Sequence, residues 1–275
     1  MPLPDTRLHY VKSGSGPPLV IVPAAVSLIR QWKPLAQFMG QRFTSYFFEL
    51  PGHGGSTPYL EKFKSCLVPG TVEAFVNELG CDRFSLMGFS FGGLLALRTL
   101  EHLQGRIDKV ILLSPCVSYL ALKWSAARQW LFRASVAGMK NPVLLSGAYR
   151  LMNNPRLEGP LTYALSKFSG IDRRILQHKN ALRMPLLTLD VFAYTMGEIL
   201  ENEYQTSQVP FKIPCYFGMS IHDDLLDYGV TEQIVRRHFQ HITIQQFNLP
   251  YHQPPEPPTY EWLMREFGRF LDRIH

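Results

Sequence analysis

Charged side chains are scarce in this chain of 275 residues: Asp, Glu, Lys and Arg supply 18% of it, against about 25% in an average soluble domain. With 46% hydrophobic and 12% aromatic residues, that scarcity excludes a disordered or low-complexity polypeptide. Cysteines number only four, Cys66, Cys81, Cys116 and Cys215. They show neither metal-ligand spacing nor a disulfide-framework pattern, so reduced thiols and no metal site are expected. No stretch of about 20 apolar residues exists to span a bilayer. Met1 to Asp5 lack the basic and apolar regions of a secretory signal. The expectation is a soluble, cytoplasmic protein without a transmembrane segment. What is present is enough apolar chain to bury one large core.

The net charge of +6 is unevenly spread. From Lys123 to Arg183 there are eleven Lys/Arg and only two acids, Glu158 and Asp172, a local +9 that exceeds the charge of the whole chain. The plain reading is a solvated helical surface. The functional one is attraction to an anionic substrate, or weak contact with a membrane surface. Lys123, Arg128 and Arg133 fall about 140° apart around a helix axis, so they form no single polar face, which counts against a membrane-inserting helix. No Lys/Arg run is dense enough to suggest nucleic acid.

Apolar runs bounded by Gly and Pro mark buried strands. Leu19–Val22, Tyr46–Leu50, Phe84–Met87, Val110–Leu113 and Pro214–Gly218 read this way; Ile242–Phe247 also reads as a strand, with a short early one at Leu8–Val11. Helical spacing is seen at Gln31–Met39, Thr71–Leu79, Phe91–Leu103, about Thr231–His238 and about Thr259–Ile274. Strands alternating with helices predict a mostly parallel sheet flanked by helices, an α/β fold. After Pro115 the alternation stops, and residues 117–210 read as helical throughout. The division expected is a core of residues 1–116 and 211–275 with an inserted helical lid, or cap, at 117–210.

Gly88-Phe89-Ser90-Phe91-Gly92-Gly93 carries the strongest chemical signal. Glycines flanking a serine between an apolar strand and a helix permit the sharp turn that exposes a nucleophilic hydroxyl. The helix that follows aims its first amides at the same spot. A serine needs a base. Of nine histidines, His252 is the best placed, in a loop after the last strand and before the last helix, at the sheet edge where ligands gather. His53, in an earlier loop, reads as structural. The base needs a carboxylate to orient it. The loop after Phe217 offers Asp223, Asp224 and Asp227. Asp223, followed by Leu225 and Leu226, is preferred; Asp224 stays open, and Asp227 reads as the start of a helix.

Leu50-Pro51-Gly52-His53-Gly54-Gly55-Ser56, the glycine-flanked Ser90, and His252 followed by Pro254, Glu256 and Pro257 together resemble the α/β-hydrolase superfamily, in its lid-bearing branch of esterases and lipases. The resemblance covers most of residues 1–115 and 211–275. It implies a Ser90–Asp223–His252 triad with no cofactor and no metal. It also implies an oxyanion hole from the amides of Ala25 and Phe91, although Pro23 and Ala24 stand where the family commonly has His-Gly. The Asp223 loop is about two residues longer after Gly218 than is usual. Epoxide hydrolases and haloalkane dehalogenases use an aspartate where Ser90 stands.

Carboxylic-ester hydrolysis through an acyl-enzyme is the leading expectation. Carbon–carbon or thioester hydrolysis by the same triad, and a silent ligand-binding module, are the alternatives. The lid's aromatic and aliphatic residues, among them Trp124, Trp130, Phe132, Tyr163, Phe168 and Tyr194, are expected to pack its helices together and to favour a small hydrophobic ester or acyl substrate.

Overall fold

The structure, a computed structural model, describes residues 7–26, 28–169, 173, 185–205, 210–254 and 256–275. Residues 170–172 and 174–184 of the expected lid, His178 included, lie outside the described residues, as does the Phe168 side chain. Seven strands form one sheet: β1 (Tyr10–Ser13), β2 (Pro18–Val22), β3 (Thr44–Phe48), β4 (Phe84–Phe89), β5 (Ile107–Leu113), β6 (Cys215–Ser220) and β7 (Ile242–Phe247). Their order across the sheet is β1-β3-β2-β4-β5-β6-β7. All neighbours run parallel except β1, which pairs antiparallel to β3. The first strand begins at Tyr10 rather than Leu8 and lies at the edge, where half of its side chains meet solvent.

The central strands are apolar without interruption because both faces are covered. Side chains alternate across a strand, so Leu19 and Ile21 join one core cluster while Val20 and Val22 join the other. The first cluster is closed by α1 (Ile29–Met39) and the C-terminal α9 (Tyr260–Asp272), through Trp32, Leu35, Phe38, Leu263, Phe267 and Phe270. The opposite face is covered by α2 (Val68–Glu78), α3 (Phe91–Leu103) and α8 (Tyr228–His238). α2 starts earlier than the Thr71 expected, with Pro69 in its first turn, where a missing N–H costs nothing. Asp227 caps α8, its side chain accepting the Val230 amide, which is the helix-start role read from the sequence.

Between β5 and β6 the described residues form α4 (Ala126–Met139), α5 (Pro142–Met152), α6 (Glu158–Ser169) and α7 (Leu186–Glu201). Only part of the apolar set expected to pack these helices does so. Trp124 and Leu145 are buried, as are Leu189 and Val191 of α7, whereas Trp130, Leu131, Leu144, Leu151 and Tyr163 of the expected set are exposed. α7 lies over the loop after β3: Thr188 donates to the Gly52 carbonyl, Glu198 accepts the Ser65 amide, and Asp190 pairs with Lys62.

Sheet order decides where a ligand meets the fold. From β2 the chain moves to β3 on one side, and β4 then returns to the other side of β2. Such a reversal opens a crevice at the carboxyl ends of the two strands. The loop carrying Ala25 and the turn carrying Ser90 both leave the sheet there.

Candidate active site

Ser90 caps α3 at φ 52° and ψ −124°, a conformation that costs a non-glycine residue about 1–3 kcal/mol. It persists because its surroundings leave no alternative. The Ser90 amide donates to the Leu113 carbonyl at 3.1 Å, and the Ser90 carbonyl accepts the amides of Gly93 and Cys116, each at 2.8 Å. The end of β5 thus clamps the turn after β4. A Cβ at Gly88 would run into the Gly92 carbonyl, and one at Gly92 into the carbonyls of Val22 and Pro23. Both glycines are therefore steric requirements of the turn.

His252 arrives from the other end of the chain. Its Nε2 lies 2.8 Å from Ser90 Oγ, and its Nδ1 lies 2.7 Å from Asp223 Oδ2. A carboxylate only accepts, so Nδ1–H donates to Asp223, and the neutral ring is left with Nε2 as acceptor for the serine hydroxyl. Ser90, His252 and Asp223 are 9%, 8% and 1% exposed, so the two hydrogen bonds are shielded from water. The other oxygen of Asp223 accepts the amides of Leu225 and Leu226 at 2.9 and 2.8 Å. Burial by itself would raise the Asp223 carboxyl; the positive charge His252 carries when protonated and its hydrogen bond, with those two amides, outweigh it and hold the group below the usual carboxylate range. The face of the imidazole stacks on Phe89, centroids 5.7 Å apart, and Phe89 rests on Trp32.

The sequence-predicted residues therefore fall into two groups. Ser90, Asp223 and His252 are brought together by direct bonds. Ala25 and Phe91 flank the crevice, one after β2 and one at the first turn of α3, and their amides have no protein partner among the described residues. Asp224 does not touch the imidazole; its Oδ1 accepts the backbone amide of His252 at 2.6 Å.

Three supports escape a sequence reading. Glu49, 4% exposed, accepts the amides of Ile29 and Gly55 and meets the His9 ring at 2.8 Å, tying the loop after β2 to the loop after β3. Gly54, at φ 51°, has no room for a Cβ against that carboxylate. A lone acid at the end of an apolar strand was the available signal, since a buried charge must be compensated. Phe89 and Lys123 gave no signal. Lys123 Nζ donates to the Asp223 carbonyl at 2.7 Å, and its amide donates to Leu225, so the segment leading into α4 is laced to the acid loop.

His53 is 1% exposed, and neither ring nitrogen makes a well-formed hydrogen bond. Burial drives it from 6.5 down to about 4, opposed in part by the carbonyls of Pro51, Ala25 and Leu50 and by the Glu49 charge. A base with a depressed native pKa binds its proton more readily when unfolded, so stability falls as pH drops from 6.5 toward 4. The loss should reach about 3 kcal/mol. Urea denaturation of the parent and His53→Gln across that range measures it: the parent should lose that much more than the variant. Parallel curves would mean that His53 protonates freely in place.

Residues 17–191 match the family described as the alpha/beta hydrolase fold. The chain belongs to the α/β-hydrolase fold family. It is 30% identical over 115 residues to N-formylmaleamate deformylase of Pseudomonas putida, covering 41% of this chain and 42% of that protein. It is 32% identical over 115 residues to pimeloyl-[acyl-carrier protein] methyl ester esterase of Nitrosospira multiformis, covering 40% and 43%. The matched stretches span less than half of either relative. A thermophilic esterase from Thermogutta terrifontis has the same fold, with a TM-score of 0.68 at 16% identity over 98% of this chain and 94% of that one. Ser90 falls inside the family match; Asp223 and His252 lie beyond its end. Among the described residues, no helix is long and apolar enough to cross a membrane, and no cluster of His, Cys, Asp or Glu could hold a metal ion.

Proposed function

We propose that this protein is a serine hydrolase that cleaves a hydrophobic carboxylic ester through an acyl-enzyme. The observation that carries the reading is His252 bonded at once to Ser90 and Asp223. His252 Nε2 takes the Ser90 proton as Oγ attacks the acyl carbon. Asp223 holds Nδ1–H and stabilises the imidazolium that forms. The amides of Ala25 and Phe91 receive the oxyanion; one such donor is typically worth about 3–4 kcal/mol in the transition state. His252 then returns the proton to the leaving alcohol, and a water activated by the same nitrogen releases the acid. The named activities of the relatives, a deformylase and a methyl ester esterase, are both acyl-group hydrolyses and support this class. The test is labelling with a fluorophosphonate, followed by p-nitrophenyl esters of increasing acyl length.

In this reading residues 117–210 form a lid. Its seating supports that role: α7 on the loop after β3, and Lys123 on the acid loop. Burial of each methylene contributes about 0.8 kcal/mol, so kcat/KM should rise roughly fourfold per CH₂ from acetyl until the pocket is full. Exposed charges are screened beyond about 10 Å at 0.1 M salt, so a neutral ester should show little salt dependence. A flat or falling profile from acetyl to octanoyl removes the hydrophobic substrate and leaves the triad standing.

A further inference from the structure

Two neighbouring carboxylates hold the same histidine by different handles. Asp223 takes the imidazole, whereas Asp224 Oδ1 takes the backbone amide of His252. The difference matters because of what the histidine loop is made of. Between Leu249 and Thr259 the chain has five prolines, at 250, 254, 255, 257 and 258, none of which has an N–H to anchor it. The loop enters with Leu249, whose amide and carbonyl both bond Ser220 Oγ, at 3.0 and 2.6 Å. It leaves at Thr259, which caps α9. Between these ends, at the residue carrying the imidazole, the main chain is fastened to the acid loop by Asp224.

We propose that Asp224 is a positioning residue: by bonding the His252 amide it sets where the imidazole stands between Ser90 and Asp223. The inference rests on the triad reading above. The bond requires an acceptor oxygen and not a charge, so asparagine should replace aspartate while alanine should not. A misplacement on the scale of 1 Å can cost about a hundredfold in rate. With Phe89 and Asp223 still holding the ring, the expected loss is about 10- to 100-fold.

Asp224→Ala and Asp224→Asn should be compared with the parent for kcat, KM and the rate of fluorophosphonate labelling, with thermal unfolding as the control. In Asp224→Ala, kcat and the labelling rate should fall together by about 10- to 100-fold, with KM unchanged and Tm well above the assay temperature. Asp224→Asn should stay within about threefold of the parent, with the acidic limb of its pH–rate profile unmoved. A purely structural role would lower Tm and leave kcat of the folded protein alone, which overturns the proposal. Equal impairment of both variants overturns it too, because charge would then be what matters. Should Asp224→Ala not fold, Asp224→Ser, whose shorter side chain falls short of the amide, takes its place under the same expectations. Failure of the triad reading looks different: Ser90→Ala would still label, and Asp223→Asn would turn over at the parent's rate.

Discussion

Ser90→Ala is expected to abolish fluorophosphonate labelling and to lower kcat by roughly 10⁶, the scale on which a serine nucleophile's removal is felt when the rest of its triad is intact. The fold should survive. Ser90 holds its turn through its backbone, bonded to Leu113, Gly93 and Cys116, and the hydroxyl contributes only the bond to His252. Alanine at φ 52° keeps the strain of the parent without adding to it, so Tm should move by no more than a few degrees. Intact-protein mass spectrometry reads the adduct, and ester turnover reads the rate. A variant that labels or turns over like the parent would falsify the nucleophile assignment, and no adjustment of the other residues could rescue it.

Asp223→Asn should cost on the order of 10⁴ in kcat, because a carboxamide reverses the hydrogen-bond logic of the ring. The Asn amide donates to Nδ1, the proton moves to Nε2, and the atom facing Ser90 becomes a donor that cannot take the serine proton. Leu225 and Leu226 can still donate to the Asn carbonyl in place of Asp223 Oδ1, so the loop should keep its shape. Asp224→Asn retains its acceptor and should be near-silent by comparison. The two variants, assayed side by side with folding verified by circular dichroism, rank the acids. The reverse ranking would move the orienting role to Asp224, although that side chain reaches the main chain of His252 and not its ring.

Much of the architecture is legible in the order of residues, for reasons that are local. A run such as Leu19–Val22 has no polar side to offer water, so it must be covered on both faces. Alternation of such runs with helical spacing leaves few topologies. The glycines beside Ser90 announce a tight turn because a Cβ there has nowhere to go. Where local reasoning slips, a partner distant in sequence is responsible. The first strand begins at Tyr10 because its register is set by β3, Tyr10 facing Phe48 and Ser13 facing Ser45. Trp130, Leu144 and Tyr163 resemble core residues by type, yet they are exposed, since which face of a helix between β5 and β6 is covered depends on what lies beneath it.

By itself, then, the sequence determined an α/β sheet with helices on both faces, helices between β5 and β6 among the described residues, and a serine in a strand-to-helix turn, because each follows from steric and hydrophobic demands within a dozen residues. The tertiary structure alone decided which part of His252 each of Asp223 and Asp224 meets, the ring or the main chain. Adjacent carboxylates are equivalent in composition and differ only in direction, and direction is set by the amides of Leu225 and Leu226 on one side and by His252, 29 positions from Asp223, on the other. It also decided that Glu49 is a buried tie between two loops, and that Lys123, far from the acids in the chain, grips the Asp223 carbonyl. Each of these depends on hydrogen-bond geometry between segments that meet only when the sheet closes, and no periodicity in the chain records it.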